Sequence, residues 1–335
     1  MRKFIPDAIY YEEKITDYEL GRELMEKYSF IPKFVIDNHN NIEEMRKKNN
    51  KDFPYMKRNL IIGTRKTHKF VPNNKISNYL VPYTSSGCTA MCLYCYLVCN
   101  YNKCSYLRLF VNREEMLEKI IKISNESDQE LVFEIGSNSD LILENSITGN
   151  LRWTIENFSK SSKKGFLTFP TKFDMVDDIL DLSGKEKIII RMSVNPKEII
   201  QKIEIGTSSL ENRVKAINKL ADSGYKVGIL IAPVIFLDDW KNLYNELVIY
   251  LKNNLSDKVK SKLFCEVIFM TYSFVHRKIN EEAFPNSIDL YNKELMTGRG
   301  KGKYTYRQEM RKEGEEYIEN LLKKYFPENK IIYFS

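Results

Sequence analysis

Six β-rich runs alternate with amphipathic helical segments between residues 79 and 270, and this alternation limits the folds that the chain can adopt. Strands separated by helices predict parallel β/α units. Eight such units close a full barrel, so six predict a partial, open (β/α)6 barrel of the α/β class. The six runs are YLVPYT (79–84), LVFEIG (131–136), GFLTFP (165–170), KIIIRMSV (187–194), KVGILIAP (226–233) and LFCEVIFM (263–270).

The segments between these runs carry signals for the starts and ends of helices. Asn112 with Glu115, and Ser208 with Glu211, have the spacing of a capping box ahead of an apolar stripe. Gly224 stands where the second of these helices should stop. We therefore predict helices that begin just after Asn112 and Ser208.

Both ends of the chain lie outside the strand–helix pattern. We interpret residues 1–76 as an N-terminal cap that contacts DNA, residues 77–278 as the partial barrel, and residues 279–335 as a C-terminal DNA-binding extension with a basic loop. Residues 45–75 hold ten basic side chains and one acid, and residues 295–308 hold four basic side chains and no acid. Each run alone is typical of a solvated surface, but two of them predict a polyanionic partner, DNA or RNA.

The sequence favours a cytoplasmic protein without a membrane segment. The longest apolar run, residues 227–237, is too short to span a bilayer, and the N-terminus has no secretory signal. The cytoplasm is reducing, so clustered cysteines there are expected to be metal ligands or redox groups rather than disulfides. No feature of the sequence requires more than a monomer.

Five of the six cysteines lie within residues 87–104, directly after the first β-rich run. The spacing of the first three is Cys88-x-x-x-Cys92-x-x-Cys95. With Cys99 or Cys104 as a fourth ligand, the group could hold a structural zinc ion. Alternatively, three thiolates could hold a four-iron cluster with one iron left open for a substrate or cofactor.

Tyr94 completes the pattern C-x-x-x-C-x-aromatic-C, which resembles the signature of the radical S-adenosylmethionine (SAM) superfamily. Further segments resemble the spore photoproduct lyase family, and most of all its clostridial branch, in the same order. This resemblance implies a partial barrel that binds a [4Fe-4S] cluster and SAM. It also implies a lyase that repairs 5-thyminyl-5,6-dihydrothymine, the UV lesion of spore DNA, by means of a 5′-deoxyadenosyl radical. The segments are CLYCYL (92–97), FEIGSNSD (133–140), TKFDMVDDILD (171–181), SVNPKEII (193–200), residues 204–233 and GRGKGKYTYRQE (298–309).

The resemblance implies roles for individual residues around the two cofactors. Cys88, Cys92 and Cys95 would ligate the cluster. Tyr94 would lie near the cluster and SAM, and Tyr96 would belong to the radical-transfer path. The implied SAM contacts, with Lys172 pairing with the SAM carboxylate, are Ser139, Lys172, Ser193 and Asn195.

The same resemblance implies a DNA-binding surface in the C-terminal extension. Arg299 would reach the lesion or its phosphate, while Lys301, Lys303 and Arg307 would contact phosphates and add affinity without sequence preference. The implied partners are UV-damaged double-stranded DNA and an external one-electron reductant of the flavodoxin or ferredoxin type.

One position departs from the family pattern in a way that bears on the chemistry. Many members have a cysteine where this chain has Ser137, and that thiol gives a hydrogen atom to the product thymine radical. A serine O–H bond is too strong for this step, so another thiol is expected to supply the atom. We favour Cys99, three residues beyond Tyr96, with Cys104 as the second candidate.

Two other functions remain open from the sequence. A radical SAM enzyme of the same lineage could act on another nucleic acid or on a peptide, although peptide-modifying relatives usually carry further C-terminal cysteines and this chain has none after Cys265. A zinc-bearing nucleic-acid-binding module without catalysis is the alternative from a different class.

Overall fold

A computed structural model describes residues 4–100, 106–328 and 330–335, except for the side chains of residues 99 and 100. The strands and helices are named here in chain order. They are β1 (Ile9–Tyr11), α1 (Glu19–Lys27), β2 (Lys33–Val35), α2 (Glu43–Lys47), α3 (Phe53–Met56), β3 (Leu60–Gly63), β4 (Val71–Pro72), β5 (Tyr79–Leu80), β6 (Ser85–Ser86), α4 (Leu97–Asn100), β7 (Leu107–Phe110), α5 (Arg113–Glu126), β8 (Val132–Glu134), α6 (Leu141–Thr148), α7 (Asn150–Ser161), β9 (Phe166–Thr171), β10 (Ile188–Val194), α8 (Lys197–Lys202), α9 (Leu210–Ser223), β11 (Lys226–Val234), α10 (Trp240–Asn254), α11 (Asp257–Lys260), β12 (Phe264–Phe269), β13 (Thr271–Ser273), α12 (Phe274–Ala283), β14 (Met296–Gly300), β15 (Lys303–Tyr306), α13 (Gln308–Tyr325) and β16 (Lys330–Phe334).

The main sheet confirms the predicted partial barrel. Its order is β16-β12-β11-β10-β9-β8-β5-β4, and the six predicted strands, β5 and β8–β12, occupy six adjacent places in it. These six strands run parallel to their neighbours. The sheet therefore forms a curled half-barrel, and the loops that follow the strands meet along its carboxyl edge.

The two outer strands of this sheet were not predicted. β16 pairs in parallel with β12 at one edge, and β4 pairs antiparallel with β5 at the other. The C-terminal segment therefore returns to the barrel after the long helix α13 and extends its sheet.

The first predicted strand is shorter than expected. Only Tyr79 and Leu80 belong to β5, and the chain then crosses to a second sheet, where Ser85 and Ser86 form β6. This second sheet has the order β2-β1-β3-β7-β6 and is built mainly from N-terminal strands. The division of the chain at residues 76 and 278 stays a prediction.

The basic loop that the sequence predicted is a β-hairpin. β14 and β15 pair antiparallel, and β15 also pairs with β13 in a three-stranded sheet. Both residues between β14 and β15 have positive φ angles, 50° at Lys301 and 68° at Gly302, as a tight hairpin turn with the twist of its strands requires. The register shifts between Gly298 and Gly300, so Arg299 lies at a bulge.

The predicted boundaries of α5 and α9 lie within one residue of the observed ones, but neither predicted capping box is formed. α9 begins one residue later than expected, because Ser209 is its N-cap and its side chain accepts from the backbone N–H of Asn212. α9 stops at Ser223, and Gly224 is its C-cap, as predicted. α5 begins after Asn112, as predicted, but the Asn112 side chain makes no cap bond to the helix. Among the described residues, no helix is long and apolar enough to cross a bilayer.

Candidate active site

The cysteine motif lies on a loop at the carboxyl edge of the half-barrel. Cys88, Cys92 and Cys95 are free thiols; Cys92 is buried, and the other two are half-buried. The Sγ of Cys88 accepts from the backbone N–H of Ala90 at 3.3 Å. The buried ammonium of Lys57 donates to the carbonyl of Cys88 at 2.6 Å.

Backbone and side-chain hydrogen bonds hold the rest of this loop from two sides. The N–H groups of Met91 and Leu93 donate to the carbonyls of Ile205 and Ile203, which follow β10 and α8. The amide of Asn280, on α12, donates to the carbonyl of Leu93 at 2.7 Å. The barrel and α12 therefore both hold this loop in place.

The loop presents a donor set that suits a metal cluster. Burial raises the pKa of the Cys88 thiol to about 12, and the neighbouring Cys95 adds to that rise. Burial also raises the pKa of Cys92 well above its ordinary value. Such thiols stay protonated until a cationic metal centre displaces their protons. Across the described ranges, no three His, Cys, Asp or Glu side chains are arranged to hold a single metal ion.

The loop after β8 lies beside the cysteine loop. The hydroxyl of Ser139 accepts from that of Ser85 at 2.6 Å, and the N–H of Gly87 donates to the carbonyl of Asn138. Asp140 caps α6 and accepts from the N–H of Lys172 at 2.8 Å. Ser139 is thus placed next to the start of the cysteine loop, as the resemblance implies.

A buried carboxylate that the sequence did not single out joins the predicted residues. Glu204 lies in the loop after α8 and accepts from the hydroxyl of Tyr94 at 2.5 Å and from the amide of Asn195 at 2.9 Å. The guanidinium of Arg213, which is fully buried, lies 2.6 Å from the carboxylate, and the ammonium of Lys172 lies 3.4 Å from it.

The two cations decide the charge of this carboxylate. Burial alone would raise the pKa of Glu204, but Lys172 and Arg213, helped by hydrogen bonds from Tyr94 and Asn195, lower it to about 2. Glu204 is therefore ionised at neutral pH. Its only sequence signal is its place in the family-like segment 204–233, because a single glutamate after a helix has no distinctive spacing.

The remaining predicted SAM contacts lie at the carboxyl ends of β9 and β10. The ammonium of Lys172 donates to the hydroxyl of Ser193 at 2.5 Å and to the carbonyl of Ala232 at 2.7 Å. Asn195 is fully buried, and its amide also donates to the carbonyl of Pro233 at 3.1 Å. The roles of these residues toward SAM stay predictions.

A cavity of about 570 Å³ joins the cysteine loop to the basic hairpin. The hydroxyl of Tyr96, which lines this cavity, donates to the carbonyl of Ser137. The cavity brings together side chains that are far apart in sequence, and four of its residues, at positions 271–273 and 276, were not predicted. It is lined by Tyr94, Cys95, Tyr96, Thr271, Tyr272, Ser273, His276, Arg299, Gly300, Lys301 and Lys303.

Of the three lysine and arginine residues predicted to contact phosphates, two line this cavity and the third, Arg307, lies outside its lining. Lys301 and Lys303 line the cavity with Arg299. Arg307 is exposed at the start of α13, and its guanidinium donates to the carbonyls of Glu294 and Lys293. Arg307 therefore holds the base of the hairpin, and its contact with phosphate stays a prediction.

His276 is a buried residue of the cavity wall to which the sequence gave no role. Its Nε2 atom has no hydrogen-bond partner within the described part of the chain. Burial, with the nearby charge of Lys57, lowers the pKa of His276 to about 3, so the imidazole is neutral at physiological pH.

The thiols of the two candidate hydrogen donors, Cys99 and Cys104, lie outside the described residues. The backbone of Cys99 belongs to α4, which begins at Leu97, but its side chain lies outside the described residues, and so does the whole of Cys104. Cys265 is buried on β12 near the start of that strand, at the edge opposite the cysteine loop.

A curled parallel half-barrel with a three-cysteine loop at its carboxyl edge is the arrangement of a radical SAM enzyme. The family model "Spore photoproduct lyase" matches residues 4–335. The chain belongs to the spore photoproduct lyase family, whose members are radical SAM lyases. This membership decides against the zinc-binding module.

Curated relatives and solved structures agree with the family match over the whole chain. The chain is 32% identical to the spore photoproduct lyase of Bacillus subtilis over 99% of both chains, and 29% identical to that of Clostridium acetobutylicum over 97% of both. These identities do not separate the clostridial branch from the rest, so that finer resemblance stays a prediction. The chain is also similar to a spore photoproduct lyase complexed with dinucleoside spore photoproduct (31% identity, TM-score 0.91) and to a variant with bound AdoMet and the same dinucleoside (30% identity, TM-score 0.92), each over the full length of both chains.

Proposed function

We propose that this protein reverses the spore photoproduct in UV-damaged double-stranded DNA to two thymine residues that stay in the strand. The observation that carries the proposal is the cavity in which Tyr94, Cys95 and Tyr96 of the cysteine loop face the basic hairpin. A lesion bound there would lie between the cofactor loop and side chains suited to phosphate. With a four-iron cluster held by Cys88, Cys92 and Cys95, bound SAM would supply a 5′-deoxyadenosyl radical able to take hydrogen from C6 of the lesion.

The cofactor side of the site consists of residues that the barrel already holds in place. Cys88, Cys92 and Cys95 would hold the cluster, because they are free thiols on one restrained loop. Ser139 lies beside this loop, and Lys172 keeps an ammonium group at the strand ends with 21% of its side chain exposed. That ammonium suits the carboxylate of SAM.

Ser193 and Asn195 complete the proposed SAM site in different ways. The Ser193 hydroxyl bonds to the Lys172 ammonium and so sets its direction. Asn195 bonds to Glu204 and would act through that carboxylate as a positioning residue. Glu204 in turn holds Tyr94 in place within the cysteine loop.

The DNA side of the site is the hairpin. Arg299, at the bulge of β14, projects from the hairpin at the cavity and would contact the lesion or its phosphate. Lys301 and Lys303 would contact flanking phosphates. We further propose a cytoplasmic monomer that receives its electron from a flavodoxin-like or ferredoxin-like reductant.

Tyr96 is proposed to belong to the path that returns a hydrogen atom to the product radical, with Cys99 as the thiol donor and Cys104 as the second candidate. Cys99→Ala and Cys104→Ala test this assignment. Sulfinate or aborted thymine products are expected from the variant that lacks the donor, whereas clean repair by both variants would exclude both thiols.

Anaerobic reconstitution with iron and sulfide, followed by incubation with SAM, dithionite and the dinucleotide lesion, tests the function itself. Intact thymidine residues should appear in place of the lesion, and Cys95→Ala should abolish both the brown colour of the iron–sulfur cluster and the repaired product. Cys265→Ala is the matched control, because its thiol lies outside the motif, and it should keep both. If 5′-deoxyadenosine accumulates equally with and without the lesion, the enzyme belongs to the same lineage but acts on another substrate.

A further inference from the structure

Two adjacent apolar side chains are exposed at the rim of the cavity. Phe274 and Val275 are 55% and 51% exposed, although their neighbours on both sides, Ser273 and His276, line the cavity. A single exposed apolar side chain is ordinary on a protein surface. The position of this pair, together with its surroundings, is what points to a function.

The pair is held rigidly between the start of a helix and the tip of the hairpin. Phe274 is the first residue of α12, and its N–H donates to the carbonyl of Gly302 at 2.8 Å. The hydroxyl of Ser273 caps the helix by accepting from the N–H of His276 at 3.1 Å. One turn further on, Asn280 fixes α12 to the cysteine loop. The two apolar side chains therefore have a defined position relative to both sides of the cavity.

The rim around the pair is suited to nucleic acid. Arg299, Lys301 and Lys303 line the same cavity and supply positive charge for phosphates. On the cofactor side, the ring of Tyr96 is 56% exposed. Aromatic and apolar surface beside a basic groove is the combination that binds unstacked bases.

An enzyme that acts on a base within a duplex must first withdraw the nucleotide from the stack. Proteins that hold a duplex open commonly insert apolar side chains at the disrupted step. We propose that Phe274 and Val275 form an apolar wedge that enters the duplex beside the withdrawn lesion and keeps the flanking bases apart. This inference rests on the proposed function, because it assigns the partner of the same cavity.

Comparing two substrates tests the wedge separately from the chemistry. A dinucleotide lesion has no stack to open, whereas the same lesion in duplex DNA does. With dithionite as reductant, Phe274→Ala combined with Val275→Ala should repair the dinucleotide at the wild-type rate. The double variant should repair duplex DNA about 5- to 100-fold more slowly, the range expected for the loss of one aromatic stacking contact.

Phe30→Ala is the matched control, because Phe30 is 69% exposed but lies outside the cavity lining. It should leave both rates unchanged, and Phe274→Tyr, which keeps the aromatic ring, should keep most of the duplex activity. A 2-aminopurine next to the lesion adds a binding readout: wild-type protein should raise its fluorescence, and the double variant should not.

The wedge would be overturned if the double variant lost the same fraction of its repair rate on both substrates. It would also be overturned if the double variant raised the 2-aminopurine fluorescence as much as the wild type. A defect that appears only with a protein reductant would also overturn it and would identify the pair as a reductant-docking surface. If wild-type protein fails to repair the dinucleotide, the proposed function fails, and the fluorescence measurement still decides whether the pair opens a duplex.

Discussion

Replacing Glu204 with glutamine is the substitution that most directly tests the electrostatic design of the site. Glu204 is fully buried and is the counter-charge of Arg213 at 2.6 Å and of Lys172 at 3.4 Å. Glutamine keeps the size of the side chain but removes the charge. The variant would leave a fully buried guanidinium without a carboxylate, which is far more costly than the loss of an exposed ion pair.

Two arguments give the size of the stability loss expected for Glu204→Gln. The pKa of Glu204 is about 2 in the folded protein instead of 4.5, which corresponds to about 3 kcal/mol in favour of the ionised form, at 1.36 kcal/mol per pKa unit. Removing one partner of a buried ion pair typically costs about 3–5 kcal/mol. We therefore expect Glu204→Gln to lower the free energy of unfolding by about 3 kcal/mol at pH 7.

The sign of the pH dependence follows from the lowered pKa. The folded state holds the proton less tightly than the unfolded state, so the stability supplied by Glu204 is present above about pH 4.5 and is lost as the pH falls toward 2. The wild-type protein should lose stability in this window. Glu204→Gln should lack that part of the decline.

Urea unfolding of the cluster-free protein, followed by circular dichroism, measures both effects. Glu198→Gln is the matched control, because Glu198 pairs with Lys202 at 2.7 Å on the surface of α8, and it should change stability by less than about 0.5 kcal/mol. Adding Arg213→Met to Glu204→Gln should recover at least about 1 kcal/mol, since the stranded charge is then removed. Equal effects of Glu204→Gln and Glu198→Gln would refute the reasoning.

Three further predictions concern other parts of the molecule. The pKa of Glu12 is lowered to about 2, since hydrogen bonds from His39 and a backbone amide outweigh its burial. Glu12→Gln should therefore lower the free energy of unfolding by about 2 kcal/mol at pH 7 and reduce the loss of stability between pH 4.5 and 2. Equal acid unfolding of the variant and the wild type would contradict this. A Cβ on Gly136 would lie 2.6 Å from the Cβ of Phe169. Gly136→Ala should therefore lower the free energy of unfolding by about 1–3 kcal/mol, and an unchanged urea midpoint would be evidence against that contact. Ser137→Cys should raise the fraction of intact thymine among the products, measured by chromatography, and an unchanged product ratio would show that a thiol at this position adds nothing.

The strands of the barrel were predictable because their physical signal is local. A strand that is buried on both faces of a parallel sheet is mainly apolar along its length. Runs such as residues 187–194 and 226–233 therefore indicate buried parallel strands. The cysteine motif was equally visible, because three ligands within eight residues need no tertiary structure to be recognised. The resemblance then extended this local information to the whole chain.

The parts that were missed depend on contacts between distant segments. Strands β1, β2 and β3 have only three or four residues each, too few for a periodic pattern to be recognised. At the hairpin the sequence indicates a loop, because Gly298, Gly300 and Gly302 lower the β-propensity of the segment. Glu204 became recognisable only when the fold placed Lys172 and Arg213 beside it, since pairing across loops leaves no spacing in the sequence.

The contact between Tyr96 and residue 137 shows that the position of Tyr96 and the identity of the side chain at residue 137 are separate matters. The Tyr96 hydroxyl donates to the backbone carbonyl of Ser137 and not to its side chain. The position of the tyrosine therefore does not depend on whether residue 137 is serine or cysteine. If the hydrogen-atom donor is a thiol other than residue 137, as proposed, that thiol needs only to reach Tyr96, because the position of the tyrosine is held by the backbone. For this reason, a change in product composition without a change in the rate of lesion consumption is the result that identifies the donor.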